Sequence, residues 1–249
     1  ELGVKDLEAS FAFYVETLGL QVTEKESNYI YLRGMEERGH HSVILKKSEK
    51  PTCNVLGYKV FDEEQLYKAE NYFNSKNIKT KWIERPFQGK TLLTHDIHGI
   101  PIEFYYQMDR LPTIHQKYKL YTGVKPLRID HFNVFSINVD ESVKFYSDLG
   151  FRVTEYTEDE KSKKLWAAWM HRKGTVHDIA FTNGVGPRLH HVAFWVPTPM
   201  NIIDLLDVMS TTGYITNIER GPGRHGISNA FFLYIRLSLI HISEPTRQA

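Results

Sequence analysis

Three histidines in the second half of the chain, His131, His177 and His191, fall on stretches that read as β-strands. Side chains in these stretches alternate between apolar and polar types, which is typical of half-buried strands. The predicted strands are 127–135, 176–182 and 189–196. Two histidines and one carboxylate facing a cavity form the facial arrangement that holds Fe(II) and leaves positions open for substrate and oxygen. Two of these histidines, together with a carboxylate such as the one that closes the other copy of an internal repeat (Glu103), would supply this set and indicate oxygen chemistry at a metal ion.

Strand alternation decides which of the nearby side chains can share a face. His131 and Asn133 are two residues apart and point the same way. His190 and His191 are adjacent, so at most one of them is expected to reach an interior site. The small Ala193 beside His191 leaves room for an ion and favours His191, although alternation leaves His190 open. A single strand histidine is more often a hydrogen-bonded core residue, and only the joint pattern favours a metal site.

Composition narrows the class of protein before any site is considered. The 249 residues carry 31 basic and 30 acidic side chains, a net charge of +1, which argues against nucleic acid or a membrane surface as a partner. No apolar run reaches the roughly 18–20 residues that cross a bilayer. The single cysteine, Cys53, excludes an internal disulfide framework and favours a cytoplasmic location.

An internal repeat defines the elements that must position the histidines. "LEASFAFYVETLGLQVTE" from residue 7 matches "VDESVKFYSDLGFRVTE" from residue 139 in its Phe-Tyr, Leu-Gly and Val-Thr-Glu steps. The chain is thus predicted to be two copies of one unit, a structural module 1–118 and a catalytic module 119–236. Helices are predicted at 139–150 and 200–210 among several strands. This order predicts an α+β fold of tandem βαβββ modules, each a curved mixed sheet enclosing a cavity.

Both ends of the repeat look incomplete. Only "ELGVKD" precedes the first helix, so the opening strand of the first module is expected to be missing. The first module closes with an Asp-x-x-Gly turn at Asp96 and a strand that carries Glu103, but no such turn follows residue 236. We therefore expect a truncated chain whose second module lacks its closing strand. Residues 237–249 resemble a non-native read-through tail.

Four segments resemble the extradiol ring-cleaving dioxygenases of the vicinal oxygen chelate superfamily, which has a glyoxalase-like fold. They are "DHFNVF", "TVHDIAF", "PRLHHVAFWV" and "IERGPGRHGISNAFFLYI", and the likeness covers nearly the whole chain up to residue 235. It implies an Fe(II) cofactor, alternatively Mn(II), held by His131, His191 and a carboxylate at the position of Glu244. Pro245 follows Glu244 and lacks the N–H that a central strand needs, which favours coincidence over a ligand.

The resemblance also implies roles for the other site residues. His177, Asn133 and Tyr234 are expected to be catalytic, with His177 as the acid–base group. Trp169, Arg220 and His225 are expected to bind substrate. The resemblance implies 3,4-dihydroxyphenylacetate as the catechol, and an Arg with a neighbouring His would suit its carboxylate. Cleavage by O2 outside the diol would give a hydroxymuconate semialdehyde in aromatic-compound catabolism, and the family implies a homo-oligomer, a tetramer.

Two other readings stay open at this point. One is a different enzyme of the same superfamily, either another catechol dioxygenase or a glyoxalase-type isomerase. The other is a non-catalytic module that binds a small molecule, because a binding cavity can survive the loss of a metal ligand. Truncation before the third ligand would leave the chain inactive. The first module is expected to be structural, because Gly57 stands where a histidine would be needed.

Overall fold

The computed structural model describes residues 1–237 and the backbone of 242–247. The first module forms two sheets with the strand orders β2-β3-β4-β1-β5 and β6-β9-β8-β7. Its strands and helices are β1 Leu2–Val4, α1 Leu7–Phe11 with a π-helical continuation Ala12–Thr17, β2 Gln21–Lys25, β3 Tyr29–Arg33, β4 Val43–Lys47, β5 Thr52–Cys53, β6 Leu56–Lys59, α2 Glu63–Ser75, β7 Lys81–Arg85, β8 Gly89–His95 and β9 Pro101–Tyr105. A short 3₁₀ helix, Tyr118–Leu120, precedes the second module.

The second module forms one eight-stranded sheet with the order β11-β12-β13-β10-β14-β17-β16-β15. Its elements are β10 Arg128–Ser136, α3 Val139–Asp148, β11 Arg152–Glu158, β12 Leu165–His171, β13 Ile179–Asn183, β14 Arg188–Trp195, α4 Pro199–Thr212, a 3₁₀ turn Ile215–Asn217, β15 Ile218–Arg224, β16 Phe231–Arg236 and β17 Ile242–Arg247. Each module thus runs through βαβββ twice, and the predicted α+β fold of tandem βαβββ modules is confirmed.

The helices begin and end where their local chemistry requires. The Asn138 side chain accepts a hydrogen bond from the backbone N–H of Glu141 at the start of α3. Thr198 and Asn201 form a reciprocal capping box at the start of α4, and Gly213 ends that helix at φ 82°. Buried residues of α3 and α4 join one hydrophobic core that also includes the first module.

Both expectations of a missing strand are wrong. β1 pairs parallel with β4 and antiparallel with β5, so the first module has an opening strand of three residues. β17 pairs parallel with β14 and antiparallel with β16, although it contains Pro245. Without β17, the facing edges of β14 and β16 would carry unpaired backbone N–H and C=O groups, which favours a strand between them. The residue types of 242–247 do not reveal this requirement, because it comes from the two neighbouring strands.

The adjacent histidines of the first module, His40 and His41, are both buried, with exposed fractions of 5% and 7%. The His40 ring stacks on Phe87 at a centroid distance of 3.8 Å, and the Tyr31 ring packs against both histidines. Burial lowers the pKa of His41 to about 3. Aromatic packing that involves the distant Phe87 explains why local sequence did not predict this burial.

Two cavities of about 320 Å³ each lie among the described residues, and one of them is enclosed by the second module, as its predicted curved sheet requires. The first cavity lies between the modules, since Phe132 and Val192 of the second module contribute to its wall. The second cavity lies wholly within the second module and contains all three histidines of the predicted site. Within the described part of the chain, no helix combines the length and apolar character that a membrane span requires.

Candidate active site

Strands β10 and β14 bring the two predicted metal ligands together. The Nε2 atoms of His131 and His191 lie 3.2 Å apart, and both residues are buried. Asn133 pairs with His191 in the β-ladder, so their side chains share one face of the sheet. This convergence agrees with the predicted geometry.

Two irregularities in the ladder are needed for this arrangement. Ile129 pairs with Phe194 and Phe132 with Val192, so β10 carries one extra residue between these pairs, next to His131. The following register shift places an extra residue on β14, at His190. Bulges of this kind re-aim side chains and are frequent beside active sites. Regular alternation alone would not place the two rings at this distance.

Outer hydrogen bonds fix which nitrogen of each imidazole faces the cavity. His131 Nδ1 lies 2.8 Å from Asp130 Oδ2, and a carboxylate can only accept, so this nitrogen carries the proton. His191 Nδ1 lies 2.7 Å from His190 Nδ1, where one ring donates to the other. With His191 as the donor, both facing Nε2 atoms present lone pairs, which is the form that binds a metal.

The donor set fits a divalent cation. Two nitrogen ligands at about 2.1 Å from one ion, at right angles to each other, lie about 3.0 Å apart. The observed 3.2 Å is close to this value. Ligand atoms of Asp130, His131 and His177 also lie within 4.8 Å of one another. Because Asp130 is already bonded to His131, it is better placed to orient that ring than to bind the ion.

The contact between His190 and His191 corrects one sequence expectation. The two rings were expected on opposite faces, but their centroids lie 4.9 Å apart and both rings pack near Tyr234. The bulge at His190 breaks the alternation on which that expectation rested. His191 lines the cavity, in agreement with the preference for it, whereas His190 supports it from the side.

His177 reaches the cavity from a loop and not from a strand. β13 begins at Ile179, so the predicted strand started three residues too early. The His177 ring packs against that of His131 at a centroid distance of 4.1 Å and is buried. A group held by a loop beside a metal ligand is suitably placed for proton transfer to or from a molecule bound in the cavity.

The remaining cavity wall contains most of the other predicted residues. Asn133, Trp169, His225 and Tyr234 all line it. The Asn133 Oδ1 atom accepts a hydrogen bond from the Thr182 hydroxyl at 3.2 Å, which orients the amide. The hydroxyl of Tyr234 lies 3.4 Å from His225 Nε2. The wall therefore offers a hydroxyl, an amide and imidazoles beside two aromatic faces.

Arg220 is the predicted site residue that the structure does not bring into this wall. It is exposed, and its guanidinium lies over the Phe232 ring at 5.8 Å from the centroid. Phe232 stacks on His225, which lines the cavity, so the contacts of Arg220 reach the cavity wall only through these two rings. Among the described lining residues there is neither an arginine nor a lysine.

Glu244 lies in β17, opposite Ala193 of β14. In the first module Glu103 lies opposite Gly57 in the equivalent pair of β9 and β6. Gly57 and Ala193 each stand five residues before the N-cap of the next helix, so Glu244 occupies the backbone position that corresponds to Glu103. The side chain of Glu244 lies outside the described residues, and its role as a ligand stays a prediction.

Sequence reasoning missed Asp130, which orients His131, and considered His190 only as an alternative to His191 and not as its neighbour in a hydrogen bond. An acidic residue directly before a strand histidine was a usable signal for Asp130, because metal-binding histidines commonly donate their second N–H to a carboxylate. His190 gave no such signal, since its contact with His191 depends on a bulge.

Comparison with known proteins places this fold and site in one family. A profile of the Glyoxalase/Bleomycin resistance protein/Dioxygenase superfamily matches residues 1–91 and 128–246, and the chain belongs to that family. Homoprotocatechuate 2,3-dioxygenase from Brevibacterium fuscum, solved with 3,4-dihydroxyphenylacetate, is similar in structure, with a TM-score of 0.96 and 42% identity. This match covers 99% of the chain and 78% of the solved one.

Two curated relatives are also similar over most of their length. A metapyrocatechase from Geobacillus stearothermophilus is 29% identical, with 94% of this chain and 75% of the relative covered. A manganese-dependent 2,3-dihydroxybiphenyl 1,2-dioxygenase from Geobacillus genomosp. 3 is 29% identical, with 93% and 78% covered. The names of these proteins agree with the class that the sequence motifs indicated.

Proposed function

We propose that this protein is an extradiol dioxygenase that opens a catechol ring with O2. The observation that carries the proposal is the pair of buried Nε2 atoms 3.2 Å apart, in a cavity that also contains His177. Extradiol dioxygenases among the relatives support the same reaction class. The product would be a hydroxymuconate semialdehyde.

His131 and His191 would hold the ion, which supplies a Lewis acid that lowers the pKa of a bound catechol hydroxyl and a position for O2. Fe(II) is the expected ion, and Mn(II) is the alternative supported by the manganese-dependent relative. Both ions suit imidazole and carboxylate ligands. The position of Glu244 opposite Ala193 supports it as a third ligand, since it is the carboxylate position shared with the first module.

The chain's own residues would then manage binding and proton transfer. His177 would take the proton of the catechol hydroxyl and return it to the opened ring, because its imidazole lies next to His131 inside the cavity. Tyr234 and Asn133 would donate hydrogen bonds to the substrate oxygens from the same wall. Trp169 closes the wall with an aromatic face that suits a planar ring.

The substituent of the catechol is the finer part of the proposal. A cavity of about 320 Å³ is at the small end of ligand pockets and suits a single substituted ring. We favour 3,4-dihydroxyphenylacetate because the similar solved structure was determined with that compound. His225 would meet its carboxylate, and Arg220 would take part only if its side chain turned over Phe232.

The first module would serve as a scaffold for the second. Gly57 and Ala193 both stand five residues before the N-cap of the next helix, so they occupy equivalent positions. His191 stands two residues before Ala193, and its equivalent in the first module is therefore Val55, not Gly57 as the sequence suggested. Valine cannot bind a metal, and Glu103 is instead bonded to Arg85 and Gln88. A homo-tetrameric assembly and a cytoplasmic location stay predictions.

A colour assay tests the reaction. The purified chain, loaded anaerobically with Fe(II) or Mn(II), should turn 3,4-dihydroxyphenylacetate yellow when air is admitted. His191→Ala should abolish the colour, whereas the matched change at an exposed histidine, His115→Ala, should not. If several catechols bind but none is opened, the alternative of a non-catalytic binding module is favoured. Turnover of a hemithioacetal instead would favour a glyoxalase-type isomerase.

A further inference from the structure

The turn after β3, which we call the docking turn (residues 34–37), lies beside the residues that lead into β10, 126–128. The backbone N–H of Met35 donates to the Pro126 carbonyl at 3.0 Å, and that of Glu36 donates to the Leu127 carbonyl at 3.0 Å. A Cβ atom at Gly34 would lie only 2.3 Å from the Leu127 oxygen and 2.7 Å from the Arg128 nitrogen, so the turn is in close contact with the backbone at the start of β10. The first module therefore touches β10 shortly before His131.

Glu37 extends this contact to the residue next to the bulge. Its Oε1 atom accepts a hydrogen bond from the backbone N–H of Ile129 at 3.2 Å. Its Oε2 atom accepts from the Ser42 hydroxyl at 2.6 Å and from the Gly34 N–H at 2.5 Å. Three donors thus fix the carboxylate of this half-buried residue. The Glu37 carboxylate is therefore held in one orientation, because hydrogen bonds to a charged acceptor are strong and three of them would have to break before it could turn.

Ile129 is the last regularly paired residue of β10 before the extra residue that turns His131 toward His191. The direction of a bulged strand depends on how the backbone groups at the bulge are satisfied, because its extra residue leaves the ladder incomplete. Glu37 satisfies one of these groups from a different module.

We propose that Glu37 is a positioning residue for the metal centre: it fixes the β10 bulge, and through it the direction of the His131 imidazole. This inference rests on the proposed function, since it assumes that His131 binds the ion. It gives the first module a role in the chemistry of the second beyond packing. Glu37 itself does not line the cavity of the second module.

The test compares three variants. Glu37→Ala removes the acceptor for Ile129, and Glu37→Gln leaves one oxygen to serve donors that two oxygens serve in the parent. Glu36→Gln is the matched control, because it makes the same charge change in the same turn but loses only an ion pair with Arg128. Mn(II) affinity is measured by calorimetry, the Mn(II) EPR spectrum reports the symmetry of the site, and urea unfolding of the metal-free protein reports stability.

We expect Mn(II) to bind about 10-fold more weakly to Glu37→Ala, as for other outer residues that orient metal ligands. Glu37→Gln should show a smaller loss and a changed EPR spectrum, and it carries the test if the alanine variant does not fold. Glu36→Gln should bind within about twofold of the parent. These shifts should appear in protein that is folded before metal is added, which a purely structural role would not produce.

Three results would overturn the inference. Unchanged Mn(II) affinity and EPR spectrum in folded Glu37 variants would do so while the proposed function stands. An equal loss in Glu36→Gln would show that the turn, and not the Ile129 contact, matters. A parent protein that binds neither Mn(II) nor Fe(II) would overturn the proposed function as well, so the two failures are distinguishable.

Discussion

Replacing Asp130 by asparagine isolates the hydrogen bond that orients His131. Asp130 is buried, with 2% of its surface exposed, and its Oδ2 atom accepts from His131 Nδ1 at 2.8 Å. Asparagine has nearly the same shape but no charge. It can still accept through its one oxygen, so the variant weakens the contact without removing the volume.

The expected cost follows from the strength of this contact. Hydrogen bonds to charged groups contribute about 1.5–3 kcal/mol, roughly twice those between neutral groups. Loss of an outer carboxylate typically weakens metal binding about 10- to 100-fold, or about 1.4–2.7 kcal/mol. The free energy of unfolding of the metal-free protein should not fall. Oδ1 of Asp130 has no hydrogen bond within the described part of the chain, so burying the charge is itself costly.

Calorimetric titration with Mn(II) and urea unfolding of the metal-free protein measure the two effects separately. Asp96→Asn is the matched control, because Asp96 is an equally buried carboxylate in the first module that accepts the backbone N–H groups of His98 and Ile100. It should lower stability and leave the affinity unchanged. If Asp130→Asn folds and binds Mn(II) within twofold of the parent, the assignment of Asp130 as the orienting group is refuted.

Three further predictions concern proton transfer, the first module and pH. His177→Gln should lower kcat by about 10²- to 10⁴-fold with little change in Mn(II) affinity, and equal losses of both would contradict its role as the acid–base group. Arg85→Met should cost about 3 kcal/mol in urea unfolding by leaving the buried Glu103 carboxylate without its cation, and a loss below 1 kcal/mol would contradict this. Because burial lowers the pKa of His41 to about 3, the unfolded chain binds a proton between about pH 6.5 and 3 that the folded chain does not. Stability should therefore fall with falling pH in that window, by up to about 1.4 kcal/mol per unit more than in His41→Gln, and equal slopes would contradict the burial of a neutral imidazole.

Local patterns predicted the elements well. The helices α3 and α4 differ from their predicted bounds by at most two residues at either end. Alternation, apolar periodicity and capping residues are properties of short segments, and these are present in the sequence itself. The internal repeat added the order of the modules.

Features that depend on contacts between distant segments were not predicted. The bulges beside His131 and at His190 come from the pairing of β10 with β14, and alternation within one strand cannot show them. The burial of His40 depends on Phe87, which lies far along the chain. Arg220 was assigned to the cavity by resemblance, but its side-chain direction depends on packing against Phe232.

A crystal structure of the protein grown anaerobically with Mn(II), with anomalous data to locate the ion, tests the central claim most directly. We predict one ion about 2.1 Å from the Nε2 atoms of both His131 and His191, with His177 close by but not bound. An ion bound elsewhere, or bound to one of these imidazoles while the other points away, would contradict the account.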